Sequence, residues 1–216
     1  KLNENEVIKF TASKIKDGLA IGWFQGRMEF GPRALGNRSI IADPRSETMQ
    51  KKLNLKVKFR ESFRPFAPAV LKEEVRDWFE IKDANPYMLV VSKVHEKRLI
   101  KIDNLMTGFD KLNQNRSTIT AVTHVDNSAR VQVVSENSNK KFYKLIKEFK
   151  KITGVPVMIN TSFNIRGEPI VCSPKDALKC FFGTNLDILI CNNFIIEKKD
   201  NLELLNIDYK SEFKLD

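Results

Sequence analysis

Short apolar runs alternate along this chain with helical segments, and that alternation constrains the fold more than any other feature of the sequence. In residues 6–19 Val7, Ile8, Ala12 and Ile15 recur at helical spacing and Gly18 marks a stop, after which residues 19–24 form an apolar run suited to a buried strand. SIIAD is strand-like, a polar helix fits residues 46–55, and residues 69–71, 73–79 and 87–94 read as strand, short helix and strand. Residues 118–134 predict two strands joined through HVDNSAR. The clearest amphipathic helix is 140–152, with Phe142, Leu145, Ile146, Phe149 and Ile152 on one face and Gly154 at its end. A strand at 155–160, a helix opening at Pro174 with Ser173 as N-cap, and strands near Ile188 and Ile195 complete the series. Strands interleaved with helices imply an α/β fold with a mixed sheet. With 216 residues, 42% of them hydrophobic, and neither a repeat nor a low-complexity linker, we expect a single domain. From 95 to 116 the pattern is weak and polar, and the poorest order is expected there.

No run of eighteen apolar residues exists, and the first twelve residues lack the pattern of a signal peptide. The expectation is a cytoplasmic chain with no membrane partner. Cys172, Cys180 and Cys191 show no metal-ligand or disulfide spacing and are expected to be buried free thiols.

The net charge of +10 suits nucleic acid, a membrane surface or a polyanionic small substrate. It is uneven, with ten Lys+Arg against four Asp+Glu between Gly22 and Arg64. Two basic segments fall there. The loop QGRMEFGPRALGNRS interleaves Arg27, Arg33 and Arg38 with Gly26, Gly31, Pro32 and Gly36, a pairing of guanidinium forks with approachable backbone that suggests a phosphate cradle. The alternative is a structural loop whose arginines bind Glu29, Asp43 and backbone carbonyls. Further on, KFRESFRPFAP places Lys58, Arg60 and Arg64 beside Phe59, Phe63 and Phe66; alternation puts Lys58 and Arg60 on one face of an extended segment, and a solvated basic face is the competing reading.

Two other groupings are weaker. His124 and Asp126 would meet by alternation, as an acid–base pair, as metal ligands or as a hydrogen-bonded pair at a pocket edge, with Arg116 upstream and Arg130 as a phosphate contact. The string NTSFN holds Asn160, Ser162 and Asn164 at a strand end, where they can donate to phosphate, carry a magnesium-bound water or close an Asx-turn, and Glu168 follows.

Taken in order, GWFQGRMEFGPRALGNRSI, KFRESFRPFAPAVL, AVTHVDNSARVQ and NTSFNIRGEPIVCSPKDAL resemble the C-terminal region of the NodU and TobZ type of carbamoyltransferase, from about residue 15 to 196, leaving 1–14 and 197–216 as tails. The resemblance implies a YrdC-like twisted mixed β-sheet flanked by helices. It also implies that this half turns carbamoyl phosphate and ATP, with Mg2+, into carbamoyladenylate. A separate N-terminal half of actin-like ATPase fold, carrying a histidine-bound metal such as iron, would pass the carbamoyl group to a hydroxyl. By the same resemblance phosphate or carbamoyl-phosphate contact goes to Arg33, Lys58, Arg64 and Arg130, and nucleotide or carbamoyl contact to Asn160, Ser162 and Asn164, with Arg27, Arg38, Arg60, Arg116 and His124 as secondary candidates. With only His95 and His124, this chain is expected to hold no metal site and to perform only the activating half-reaction. The alternatives are a threonylcarbamoyl-adenylate synthase, disfavoured by the GRMEFGPRALGNRS loop and the RPFAP segment, and a basic RNA-binding module.

Overall fold

A computed structural model describes residues 1–81, 85–102 and 114–201, together with Gly108 and Phe213. Among them run eight strands: β1 (Ile21–Phe24), β2 (Arg38–Ala42), β3 (Ala67–Leu71), β4 (Val90–Lys93), β5 (Ser128–Val134), β6 (Val157–Ser162), β7 (Ile188–Cys191) and β8 (Phe194–Glu197). They form one mixed sheet in the order β4-β5-β3-β6-β2-β1-β7-β8, with β1/β7 and β3/β5 parallel and the other neighbours antiparallel. The helices are α1 (Glu4–Lys16), α2 (Met49–Lys56), α3 (Val75–Trp78), α4 (Lys140–Thr153) and α5 (Pro174–Phe182).

Strand alternation sorts the core into two layers, because successive side chains leave a strand on opposite faces. Ile21, Trp23 and Ile41 face α1 and α4, which bring Val7, Ile15, Phe142 and Phe149. Phe24, Ile40 and Ala42 face the opposite layer, with Leu53 of α2 and Phe181 of α5. The segment before residue 15, a tail by its motifs, therefore belongs to the core. Asn3 caps α1 with a full capping box, Gly154 at φ 77° closes α4, and Ser173 with Asp176 caps α5.

Elsewhere the local pattern gave way to side-chain hydrogen bonds and turns. Residues 118–134 hold one strand, not two, since Thr120–Val122 is a 3-10 turn. Ser117 Oγ accepts from Ile119 N at 3.1 Å and Thr123 Oγ1 donates to the Ile119 carbonyl at 3.0 Å, so hydroxyls take the groups a ladder would use. The strand expected from residue 87 begins at Val90, behind Met88 at φ 58°. Residues 73–79 contain only the tail of a 3-10 turn and the four-residue α3. Of the three thiols Cys180 is buried, Cys191 is half-buried and Cys172 is exposed, which corrects the expectation for the last. The irregular stretch 95–116 and the C-terminal tail lie partly outside the described residues.

Candidate functional site

Helix α2 ends at Lys56, and the chain leaves it through Phe59 at φ 49°, a left-handed turn rather than an extended segment. That turn drives Lys58 inward to 4% exposure. Its ammonium donates to the Ser162 carbonyl, to Ser162 Oγ at 3.2 Å, to the Asn164 carbonyl at 2.9 Å and to Asn164 Oδ1 at 2.7 Å. Ser162 Oγ also donates to Asn164 Oδ1 at 2.7 Å, and Asn164 Nδ2 donates to the Glu168 carbonyl at 2.6 Å, so Lys58 knots the NTSFN loop. Burial, with the Arg60 charge second, pulls Lys58 down to about 7.

Arg60 is half-buried over the Phe66 ring, its Nε donating to Asn54 Oδ1 at 2.7 Å. Burial, then Arg64, lowers it to about 10. Arg64 is exposed and pairs with Glu61 at 2.9 Å. Of the interleaved phenylalanines Phe66 is buried, Phe59 half-buried and Phe63 exposed.

The opposite rim is the loop between β1 and β2. Glu29 Oε1 accepts from Leu35 N at 2.6 Å, Asn37 N at 2.7 Å and Arg38 N at 3.3 Å, so this carboxylate is held by backbone and not by an arginine. Gly36 sits at φ 110° where a Cβ would strike the Phe142 ring. Two buried amides tie the loop to the sheet: Asn160 Nδ2 donates to the Ala34 carbonyl at 3.1 Å and to Gln132 Oε1 at 2.6 Å, and Gln132 Nε2 donates to the Leu35 carbonyl at 2.9 Å. Arg33 is thereby held beside Arg130 of β5. Burial first, and Arg33 second, lowers the Arg130 pKa. Arg130 Nε is buried without a hydrogen-bond partner among the described residues.

The two rims enclose adjoining cavities. One, of about 370 Å³, is lined by Lys58, Arg60, Arg64, Ser162, Asn164 and Arg166. The other, of about 150 Å³, is lined by Arg33, Arg60, Met88, Arg130, Asn160 and Ser162. Arg60 and Ser162 belong to both. The fold thus gathers Arg33, Lys58, Arg60, Arg64, Arg130, Asn160, Ser162 and Asn164 into one cationic cleft. Arg166, 3.9 Å from Glu61, joins them and was not singled out from the sequence, although it sits in the same loop string between Asn164 and Gly167.

Four candidates are placed elsewhere. Arg27 points into solvent. Arg38, 5% exposed, stacks on Phe24 at 3.5 Å and donates to the carbonyls of Gln25 (2.9 Å), Asn37 (3.0 Å), Gly26 (3.2 Å) and Cys172 (3.4 Å), the structural role that the sequence had left open. Asp43 is bound by Arg45 through a 2.6 Å pair. Arg116 and His124 line a separate cavity of about 260 Å³, which touches the cleft only at Pro65. His124 Nδ1 lies 3.2 Å from Asp126 Oδ1, but within a turn: the same oxygen accepts Ser128 N at 3.0 Å and Ser128 Oγ at 2.6 Å. Those Ser128 bonds, ahead of His124 and Lys93, hold Asp126 well below the carboxylate range. Among the described residues no group of three His, Cys, Asp or Glu side chains could hold a metal ion.

The mixed α/β sheet has the YrdC-like fold of its structural neighbours. In agreement, full-length HypF in its phosphate- and nucleotide-bound form superposes with a TM-score of 0.57 over 86% of this chain and 21% of that one, at 18% identity. Residues 12–198 match the carbamoyltransferase C-terminus family, and the chain belongs to it. An uncharacterized Synechocystis protein is 48% identical over 99% of this chain and 35% of its own length. Nodulation protein NolNO of Sinorhizobium fredii is 45% identical over 90% of this chain and 27% of its own length. The chain thus spans about a third or less of these relatives.

Proposed function

We propose that this domain activates a carbamoyl group for an O-carbamoyltransferase, forming carbamoyladenylate from carbamoyl phosphate and ATP. The observation that carries the reading is the cleft itself: Arg33, Lys58, Arg60, Arg64, Arg130 and Arg166 meet around two connected cavities, and the buried Nε of Arg130 lacks a partner among the described residues. Like charges so close favour an anion, and an unsatisfied buried donor costs about 1–3 kcal/mol until one arrives. Two joined cavities suit two phosphate-bearing substrates.

In the reaction, water displaces phosphate from carbamoyl phosphate, and an oxygen of the resulting carbamate attacks the α-phosphorus of ATP as pyrophosphate leaves. Arg33, Arg60 and Arg130 would meet charge on the reacting phosphates, and the Lys58 knot would hold the Ser162–Asn164 wall in place. Magnesium would enter on the nucleotide, since among the described residues no acidic cluster offers it a cage. Transfer to a hydroxyl acceptor is assigned to an N-terminal domain of actin-like ATPase fold in the full-length protein. Use of ATP agrees with the cytoplasmic setting expected from the sequence, and among the described residues no helix is long and apolar enough to cross a membrane.

Pyrophosphate release tests the reading directly. Incubation with ATP and magnesium should give pyrophosphate with carbamoyl phosphate and none with threonine plus bicarbonate. Release only with threonine would establish the threonylcarbamoyl alternative. Tight, salt-sensitive RNA binding with no heat from ATP or carbamoyl phosphate would establish the nucleic-acid alternative.

A further inference from the structure

We infer that Asn54, on α2 and outside both cavities, is the positioning residue for the arginines of the 58–64 rim. The inference rests on the functional reading above and deepens it. Asn54 is the last-but-two residue of α2 and is 0% exposed, next to the buried Leu53. Helix propensity and the apolar face both argue against asparagine at such a place. A conflict of that kind marks a position chosen for something other than stability of its own element.

Among the described residues, every hydrogen bond that the side chain makes goes to the rim. Oδ1 accepts from Arg60 Nε at 2.7 Å, and Nδ2 donates to the carbonyls of Ser62 at 3.0 Å and Arg64 at 2.8 Å. Its own carbonyl accepts from Arg60 N at 3.0 Å. The amide therefore reads both ends of the Arg60–Arg64 segment at once. Holding Arg60 by Nε also leaves its two terminal nitrogens as the fork that a phosphate takes bidentately. Because Arg60 lines both cavities, its orientation bears on whichever anion occupies either of them. Arg64, long and exposed, has its backbone fixed by the same amide while its guanidinium stays within reach of Glu61 and the cleft.

The test is calorimetric titration of the chain with carbamoyl phosphate and, separately, with inorganic pyrophosphate. Asn54→Ala should weaken both by about tenfold, the loss of one well-oriented charge-assisted contact. Combined with Arg60→Ala and Arg64→Ala, it should add less than about twofold, since the residues it acts through are gone. A merely structural defect would keep its full effect in that background. Asn54→Asp keeps an acceptor for Arg60 and loses the two donors, so its loss should be intermediate and should vanish with Arg64→Ala; it carries the test if Asn54→Ala does not fold. Wild-type affinity in both Asn54 variants, or an undiminished loss in the double-arginine background, overturns the inference alone. A wild-type chain that binds neither probe overturns the functional reading and this inference with it.

Discussion

In the loop between β1 and β2 the most deeply placed cation, Arg38, directs its guanidinium to four backbone carbonyls and the face of Phe24, and only Arg33 reaches the cleft. In the segment after α2 the most deeply placed cation, Lys58, also binds protein oxygens, yet it stays in the cleft wall, and Arg60 and Arg64 stay there with it. Both segments look alike in sequence, as arginines among glycine, proline or phenylalanine. The first is a self-bracing loop organised by the Glu29 carboxylate and by Arg38, while the second has few internal bonds and is braced from outside by Asn54 and the NTSFN loop. A loop that must stand over a sheet needs an internal cation for its carbonyls. A loop that follows a helix can borrow its supports and leave its cations to a ligand.

Arg38→Ala should test that contrast most severely. Removing the buried guanidinium strips the buried Gln25 carbonyl of its donor and the Phe24 face of its stacked cation, while Asn37 keeps its bond from Gln25 N. It should cost about 2–4 kcal/mol in urea unfolding, and Arg38→Lys should recover little because a lysine cannot fork. A loss below about 1 kcal/mol would move Arg38 into the ligand-binding group.

Lys58→Met comes next, and its signature is pH. The folded pKa near 7 lies below the unfolded value near 10.4, so between them the unfolded chain holds more protons and stability rises with pH. The penalty is fully present below about pH 7 and gone above about pH 10.4, with a slope of at most about 1.4 kcal/mol per pH unit between. Unfolding free energies from pH 7 to 10 should show the slope in wild type and its loss in Lys58→Met. An anion in the cleft should return the proton, so binding at pH 8 should take up protons in calorimetry across buffers of different ionisation enthalpy.

Smaller effects should separate Arg33 from Arg27. Arg33→Ala should weaken pyrophosphate binding about tenfold with melting unchanged within about 0.5 kcal/mol, as for an exposed side chain whose partner is the ligand. Arg27→Ala should change binding by less than about twofold, because its side chain stands in solvent. Equal effects from the two would erase the distinction within that loop.

Much of this layout was legible from the residues. Amphipathic spacing located α1 and α4, capping chemistry placed the start of α5, and the glycine–arginine and phenylalanine–arginine segments bounded the cleft. Three kinds of feature were hidden. Hydroxyl bonds at Ser117 and Thr123 removed a strand that apolar content alone supported. The left-handed turns at Phe59 and Met88 have no sequence mark, since neither residue favours that region. Asn54 and Gln132 act on partners that are distant in the chain or out of helical register with it, and no local pattern reveals such pairs.

By itself the sequence determined the class of fold and the chemistry available to it, because periodicity and residue type are local properties that burial then enforces. It also determined that more basic residues than acidic ones lie between Gly22 and Arg64. Only the tertiary structure decided which cation each partner would claim. Arg38 lies within reach of four carbonyls, Lys58 within reach of a strand end over a hundred residues away, and Arg130 is left with a buried nitrogen that has no partner among the described residues. A buried guanidinium N–H without an acceptor costs free energy until a ligand supplies one, so the division between structural and ligand-facing arginines follows from where the folded backbone supplies oxygens.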